Sequence, residues 1–418
     1  KANLYSFIFF SESTDYGPSR RLDMYMIIGA GKCGTALLAD FWKTRTEVGK
    51  GNKQYYCTPV VINTAVPDFI YALKKGISVD RWLGICRPTS SDDDKRRVLR
   101  GNDTKFGSKI VGGMGKRFKW GYEAAEEAKE ELKEMLPQMM PSLRPTMRTR
   151  PFFKRASNKT ELVKQEIELA IMFFGLGGGT GSGCAPIISQ IFHELGIPIF
   201  AVGVLPSANE GNDYAKNAHY SMGETIKHAN ALILADNELI DREGGAQKYY
   251  KSFNKFISGC VVDLFLRHLA SGEKSKPLDR PMIDHRDFVN ATTLSAQRKG
   301  IAIIGRATVG VKDLDSRGQN LREVLVERAF CQMSVPKPEI SKGEKVFFQF
   351  TYHPSLDKRD FPCDKITKEM KQQTTRDSVF SGFNTTSLRV AKLAFAQVYR
   401  PQDIERIVAI KNQARQAE

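Results

Sequence analysis

Paired cysteines are missing from this chain. Its seven Cys are scattered, with no C-x-x-C spacing. That argues against a secreted disulfide scaffold and against a zinc site, and it favours a reduced, cytoplasmic setting. Long apolar runs are missing as well. Leu4–Phe10 falls far short of the roughly 18 residues that a membrane-spanning helix needs, and no small-residue cleavage site follows it cleanly, as a signal peptide would require. No transmembrane segment is expected, and residues 1–23 read as an N-terminal extension, either a tag remnant or an unprocessed stretch of chain. Acids are scarce beside bases: 63 Lys and Arg against 47 Asp and Glu leave a formal charge of +16. Such an excess favours a polyanionic partner, whether a nucleotide's phosphates, a nucleic acid or an acidic protein face. Internal repeats and a low-complexity tail are absent too. What remains is the composition of a globular protein: 41% hydrophobic residues over 418 positions suffice for a sizeable core and two or three domains.

The apolar segments alternate between two periods. Met24–Ile28 reads as a strand, followed by the turn Gly29-x-Gly31-x-x-Gly34 and a helical pattern through Phe41. Pro59–Asn63 is a second strand, and Gly112–Gly115 is a glycine-rich turn that opens a helix expected at Glu123–Leu136. Leu169–Phe174 is a strand feeding Gly175–Gly183, with a helix at Pro186–Leu195, a strand at Ile197–Leu205, a helix at Tyr214–His228 and a strand at Ala231–Leu234. Strands alternating with helices across short turns predict an α/β fold whose parallel sheet is covered on both faces. Gln247–Leu269 predicts one long central helix. From about Ala291 a smaller α/β unit is expected, with strands at Ile301–Ile304 and Val346–Tyr352, a helix at Asn320–Phe330 and a last helix after Pro401. The division is therefore an extension at 1–23, a nucleotide-binding domain at 24–246, a central helix and loop region at 247–290, and a C-terminal domain at 291–418. Within the first domain, residues 137–160 carry Pro137, Pro141, Pro145 and Pro151 together with Arg144, Arg148, Arg150, Lys154, Arg155 and Lys159, and no acid. Prolines at that density predict an exposed basic insertion rather than a helix.

The glycine turns carry the chemistry. Gly29–Gly34 resembles a dinucleotide fingerprint, yet the next strand ends in Asn63-Thr64-Ala65 and supplies no ribose acid. An NAD(P)-dependent oxidoreductase is thereby disfavoured. Neither this turn nor Gly112–Gly115 closes with the Gly-Lys-Ser/Thr of a P-loop. The stronger motif is Gly177-Gly178-Gly179-Thr180-Gly181-Ser182-Gly183. Glycines at that density let the backbone approach a ligand and aim several N–H groups into one concavity. The positive end of the following helix adds to an anion site, and Thr180 and Ser182 bring hydroxyls able to bond phosphate oxygens.

Gly177–Gly183 resembles the tubulin signature of the tubulin/FtsZ superfamily, and the resemblance extends over roughly residues 22–400. Gly31-Lys32-Cys33-Gly34 is similar to the first nucleotide loop, and Gly112–Gly115, with Gly113 and Gly115, to the γ-phosphate loop. Pro206–Gly211 is similar to the FtsZ and CetZ ribose loop, which gives Glu210 the role of holding sugar hydroxyls. Asp236-Asn237-Glu238 resembles the segment whose Asn contacts guanine. Tyr250-x-x-x-Asn254 matches the pair in which an aromatic ring stacks on the base and an amide reads it. The resemblance implies GTP/GDP as ligand, with Mg2+, and head-to-tail self-assembly into protofilaments; it does not indicate nucleic acid. Independently of the family, the donor and acceptors of Asn237 and Asn254 can match guanine's edge. Tyr250, four residues before Asn254, shares its helix face.

Two departures matter. Lys32 stands where tubulins carry Gln and FtsZ proteins commonly Gly, and a cation there can neutralise phosphate directly. In Asp284-His285-Arg286-Asp287-Phe288-Val289-Asn290, which resembles the loop inserted into the neighbouring subunit's site, Asn290 occupies the place of the second acid. Asp287 remains, with Asp284 as a substitute one turn away, and slow or absent GTP hydrolysis is implied. A non-polymerising nucleotide-binding regulator of the same fold is the alternative. The basic insertion would be available to an acidic protein or to a lateral filament contact. Neither a tubulin-like acidic tail nor an FtsZ C-terminal peptide follows Ile410, which points to a prokaryotic, CetZ-like member.

Overall fold

The first apolar run is a strand buried on both sides. β1 (Met24–Ala30) sends Met26, Ile28 and Ala30 into one apolar cluster and Tyr25 and Ile27 into another, as the alternation of side chains in a central strand demands. Residues 24–44, 57–86, 96–110, 112–140, 167–242, 247–266, 283–295, 298–310, 321–359, 363–372, 378–386 and 388–417 are described by the computed structural model of this chain. The expected N-terminal extension and residues 141–160 of the basic insertion lie outside them.

After β1 come α1 (Gly31–Thr44), β2 (Cys57–Asn63), α2 (Val66–Lys74), β3 (Trp82–Ile85), β4 (Val98–Arg100), α3 (Phe106–Lys109), α4 (Phe118–Glu127) and α5 (Lys129–Gln138). The next stretch holds β5 (Ile167–Gly175), α6 (Thr180–Glu194), β6 (Ile199–Leu205), α7 (Asn212–His228), β7 (Ala231–Asp236), α8 (Glu238–Arg242) and α9 (Gln247–Phe265). The remainder holds α10 (His285–Thr292), a small ribbon of β8 (Thr293–Ser295) and β9 (Arg298–Lys299), β10 (Ile301–Gly310), α11 (Leu321–Cys331), β11 (Lys345–Tyr352), α12 (Cys363–Gln372), β12 (Val379–Thr385), β13 (Val390–Tyr399) and α13 (Glu405–Gln416). One sheet runs in the order β12-β11-β13-β10-β7-β6-β5-β1-β2-β3-β4. From β7 to β3 every pairing is parallel, as the α/β rhythm predicts. β10 continues the sheet parallel to β7 over Ile301–Ile303, and β13 then runs antiparallel between β10 and β11.

Both faces are covered. Leu37 of α1, Phe69 of α2, Ile257 of α9 and Phe288 of α10 pack on one face, and Ala124 of α4, Leu132 of α5, Ile187 of α6, Ala215 of α7 and Ile410 of α13 on the other. Among the described residues no helix is long and apolar enough to cross a membrane.

Several elements differ from the sequence reading, each for a physical reason. The helix expected at Glu123–Leu136 is two helices meeting at Ala128, and Pro137 lies inside the last turn of α5. The helix expected at Pro186–Leu195 starts at Thr180, inside the glycine motif. Glycine's low helix propensity is overridden there by close packing, described below. β13 was not anticipated. Its sequence, VAKLAFAQVY, mixes good helix formers with apolar residues, and pairing on both sides makes it a strand even though Lys392 and Gln397 are buried in it.

Candidate nucleotide site

Parallel strands deliver their loops to one edge of the sheet, and there the glycine turns touch. Gly31 takes φ +67, and a Cβ on it would lie 2.6 Å from the backbone N of Gly181. A Cβ on Gly179 would lie 2.9 Å from the Met114 carbonyl and 3.0 Å from Arg117 N, so the third turn packs on the same motif. A Cβ on Gly183 would meet Tyr122 N at 2.4 Å, which lets α4 run against the start of α6. Gly177 packs on Tyr214 and Pro206, whereas Gly113 and Gly178 face nothing within 4 Å. The capping residue of α6 is Gly179, which supplies no side-chain acceptor. The first-turn N–H groups thus keep their donors for an outside partner, the requirement of an anion site. The hydroxyls expected at phosphate have other bonds: Ser182 donates to the carbonyls of Gly178 and Gly179, and Thr180 shares a 2.7 Å bond with Thr64. They shape the turn.

Two glycine substitutions separate folding from binding. A Cβ on Gly34 would sit 2.1 Å from the Phe173 carbonyl oxygen, so Gly34→Ala should cost about 3 kcal/mol or more, the upper end of overpacking penalties. Gly178→Ala meets no atom and should leave the urea midpoint unchanged. It should weaken binding of a phosphate-bearing ligand by roughly tenfold if it displaces one charge-assisted bond to phosphate. Equal effects of both variants on stability would remove Gly178 from the site.

Charge surrounds these turns. Lys32 is exposed on the first turn of α1 and interacts electrostatically with Asp68. Burial raises the Asp68 carboxyl above its usual range, opposed by a hydrogen bond from Asn63 and by Lys32. Asn63, 1% exposed, donates to Asp68 Oδ2 at 3.0 Å, and its Oδ1 accepts from Thr64 N at 2.8 Å. Lys116 follows Gly115 (φ +56) with φ +59, a left-handed conformation uncommon for a residue with a side chain. Its ammonium lies over the Tyr214 ring at 5.2 Å and feels Glu210. Cys33 is half-buried against Gly175. Burial, with Glu210 nearby, pushes its thiol up to about 12. Cys33 should therefore resist iodoacetamide at pH 8 while exposed Cys331 is alkylated, a difference that peptide mass spectrometry reads directly.

The sugar and base candidates lie on the 206–211 loop, just after β7 and on α9. Glu210 Oε1 accepts from Ser207 N at 3.0 Å and from Asn237 Nδ2 at 3.1 Å, tying the 206–211 loop to the segment after β7. Asn254 on α9 donates to Asp40 Oδ2 of α1 at 3.1 Å. With their NH2 groups held by carboxylates, both amides retain oxygens as acceptors for a base. Tyr250, 45% exposed, lies one turn before Asn254 on α9.

The 284–290 segment stands elsewhere. Asp284 caps α10: its Oδ1 accepts from Arg286 N at 2.7 Å and Asp287 N at 3.2 Å, and Asp287 Oδ2 accepts from Asp284 N at 3.0 Å. The pair forms a capping box. Asn290 is a full turn further along the helix, and its carbonyl accepts from Lys345 Nζ at 3.0 Å. His285, beside Asp284, packs edge-on against Tyr25 with centroids 6.2 Å apart, and Tyr25 lies at the beginning of β1. The acids thus sit at the N-terminal ends of the parallel strands and the glycine turns at the C-terminal ends.

Sequence reading overlooked Asn217, Asn63, Asp68, Lys116 and Arg406. Asn217 is 8% exposed, accepts from Phe118 N at 3.1 Å and donates to the carbonyls of Lys116 at 2.8 Å and Gly177 at 2.9 Å. One side chain thereby locks two glycine turns together, through contacts 101 and 40 residues away in the chain. Asn63 and Asp68 carried a fainter signal, polar residues at the end of a buried strand and the start of the next helix. No group of three or more His, Cys, Asp and Glu able to hold a metal is found among the described residues. A nucleotide-borne Mg2+ needs less, since it commonly keeps waters and takes one or two carboxylates besides phosphate; Asp68 fits that donor set.

Residues 156–243 match the tubulin/FtsZ family GTPase domain. Over that stretch the chain resembles the tubulin/FtsZ family. Within it, the chain is similar to archaeal CetZ proteins, with 31% identity to the tubulin-like protein CetZ2 of Haloferax volcanii over 148 residues, 35% of this chain and 39% of that protein. The match thus spans about two fifths of the relative's length. The fold is also that of two solved structures, with 94% of this chain covered in each case. A GDP-bound monomer of Haloferax volcanii CetZ1 superimposes with TM-score 0.68 at 21% identity over 99% of its own chain. A GTPγS-bound protofilament of CetZ2 from the same organism does so with TM-score 0.67 at 20% identity over 98%.

Proposed function

We propose that this protein is a CetZ-like cytoskeletal GTPase of the cytoplasm that binds GTP and GDP at the joined glycine turns and assembles head-to-tail into protofilaments. The observation that carries this reading is the separation of the acids from the turns. A strand rises about 3.3 Å per residue, so Tyr25 and Ala30 are roughly 17 Å apart along β1. Asp284 and Asp287 cannot serve the nucleotide of their own subunit from that distance. They can serve the nucleotide of a second copy stacked end-on, and such a heterologous contact propagates as an open filament.

In this reading the open backbone donors of Gly177–Gly183 and the first turn of α6 hold the phosphates, with Lys32 and Lys116 neutralising charge. Glu210 accepts from ribose hydroxyls, Asn237 and Asn254 accept from guanine, and Tyr250 covers the base. Asp68 would help hold Mg2+, which when bound neutralises charge on the phosphates. The D-x-x-D pair is complete at Asp284 and Asp287, one helical turn apart, which makes Asn290 a bystander rather than a missing acid. The neighbour's Asp287 orients the attacking water. The division into a nucleotide domain at 24–246 and a C-terminal domain at 291–418 accompanies this reading, with α9 between them.

Nucleotide released from denatured, purified protein should be GTP or GDP. Sedimentation should show polymer with GTP and far less with GDP. Guanine nucleotide without sedimentable polymer at any concentration would favour the non-polymerising regulator instead.

A further inference from the structure

The C-terminal helix reaches the candidate nucleotide site through one side chain. α13 packs along α7, with Ile410 fully buried. From its first turn, Arg406 donates through Nε to Asp236 Oδ2 at 2.6 Å and through Nη2 to Asp236 Oδ1 at 3.2 Å and to the Pro206 carbonyl at 2.7 Å. The Asp236 side chain is 0% exposed and that of Arg406 13%. Pro206 opens the loop that ends in Glu210, and Asp236 immediately precedes Asn237. A single guanidinium therefore holds the roots of both segments, and these are the segments that meet again at the Glu210–Asn237 bond.

Stability alone does not account for this arrangement. A buried ion pair recovers little net free energy after desolvation, and burial keeps the Asp236 carboxyl above its usual range even with Arg406 beside it. An arginine in the first turn also faces the positive end of its own helix, where acids are favoured. What the fork supplies is geometry. A planar guanidinium can bond a carboxylate and a carbonyl in fixed directions, as a lysine ammonium cannot. Asp236 is fixed on its other side as well, since its backbone N donates to the Ser334 carbonyl at 2.9 Å and its Oδ1 accepts from Glu238 N at 3.0 Å.

We infer that Arg406 is a positioning residue for the guanine nucleotide: from α13 it holds the ribose loop and the base-reading segment in register. The inference rests on the reading of this site as a guanine-nucleotide site. Loss of the Arg406 fork should then loosen the nucleotide while the bonds of Asn217 that join the phosphate turns remain.

The test uses the full chain loaded with a fluorescent GDP analogue, in wild type, Arg406→Ala, Arg406→Lys and Ile410→Ala. Arg406→Ala should release the analogue at least about tenfold faster, the effect of one lost charge-assisted bond, and should narrow the preference for GTP over ATP. Arg406→Lys should fall between it and wild type. Ile410→Ala removes packing but leaves the fork, so it should lower the urea midpoint while keeping the release rate and base preference of wild type. If Arg406→Ala does not fold, Arg406→Lys decides. Wild-type release from the Arg variants, or equally fast release from Ile410→Ala, would reduce Arg406 to a structural role and overturn the inference, while the nucleotide site itself would stand. A wild-type protein that binds no guanine nucleotide would sink the reading of the site and this inference together.

Discussion

GTP turnover by assembled protein should fall about 10²- to 10⁴-fold in Asp287→Asn, the range that a positioned proton-transfer group contributes. Binding of GTP to monomer at concentrations too dilute for polymer should not change. The variant is chosen to spare the helix. Asn can still accept the Asp284 N–H that Asp287 Oδ2 accepts now, so the capping box survives and only the charge is lost. Asp287→Ala would also remove one arm of the capping box, the acceptor for Asp284 N, while Asp284 still caps α10, and its unfolding midpoint should fall slightly. Asn290→Asp supplies the companion measurement. If the acid pair is Asp284 and Asp287, a new carboxylate one turn further along α10 should leave turnover within about twofold, because it stands outside the pair that acts on the water. If Asn290 instead marks a lost acid, Asn290→Asp should raise turnover by orders of magnitude. Phosphate release from assembled protein decides between the two, and a large loss of monomer affinity in Asp287→Asn would return the residue to its own subunit's pocket.

Base discrimination should be the second large effect. Competition against a guanine nucleotide should find ATP weaker by at least about 10²-fold, and replacing both Asn237 and Asn254 with Ala should abolish most of that difference. The reason is the polarity of the two edges. In the proposed site, guanine would present N1–H and N2–H2 donors to the amide oxygens left over when Glu210 and Asp40 hold the NH2 groups. Adenine presents an acceptor at N1, so an acceptor would face an acceptor. Each such unsatisfied buried group costs about 1–3 kcal/mol, and two of them suffice for the factor stated. Equal affinity for GTP and ATP in wild type would remove both residues from base recognition.

The glycine motif was the most legible part of the molecule, because the need for backbone approach is written locally, in residues without side chains. Gly177–Gly183 and Gly31 required no knowledge of the fold, and the contact between Gly31 and Gly181 follows once parallel strands bring adjacent loops to one edge. The alternation of strands and helices was legible for the same reason, since the two periods are properties of short windows. Helix starts were read less well. Thr180 begins a helix inside five glycines because α4 lies against it through Gly121 and Gly183, a contact between remote segments. In the segment at 284–290 the sequence offers Asp284, Asp287 and Asn290 as candidates without choosing among them. The structure adds that Asp284 and Asp287 share a capping box at the start of α10, with Asn290 a turn further on.

By itself, then, the sequence determined an α/β fold with a largely parallel sheet and marked the glycine turns and polar residues that the proposed site uses. Tertiary structure decided which of those residues meet. Asn217 joins turns 101 and 40 residues away, Arg406 reaches Asp236 across 170 residues, and β13 is a strand only because β10 and β11 flank it. It also decided that the acids and the glycine turns lie at opposite ends of β1. Local sequence specifies backbone angles and which face is apolar; which remote polar groups become partners depends on how the sheet is ordered and where each chain segment returns.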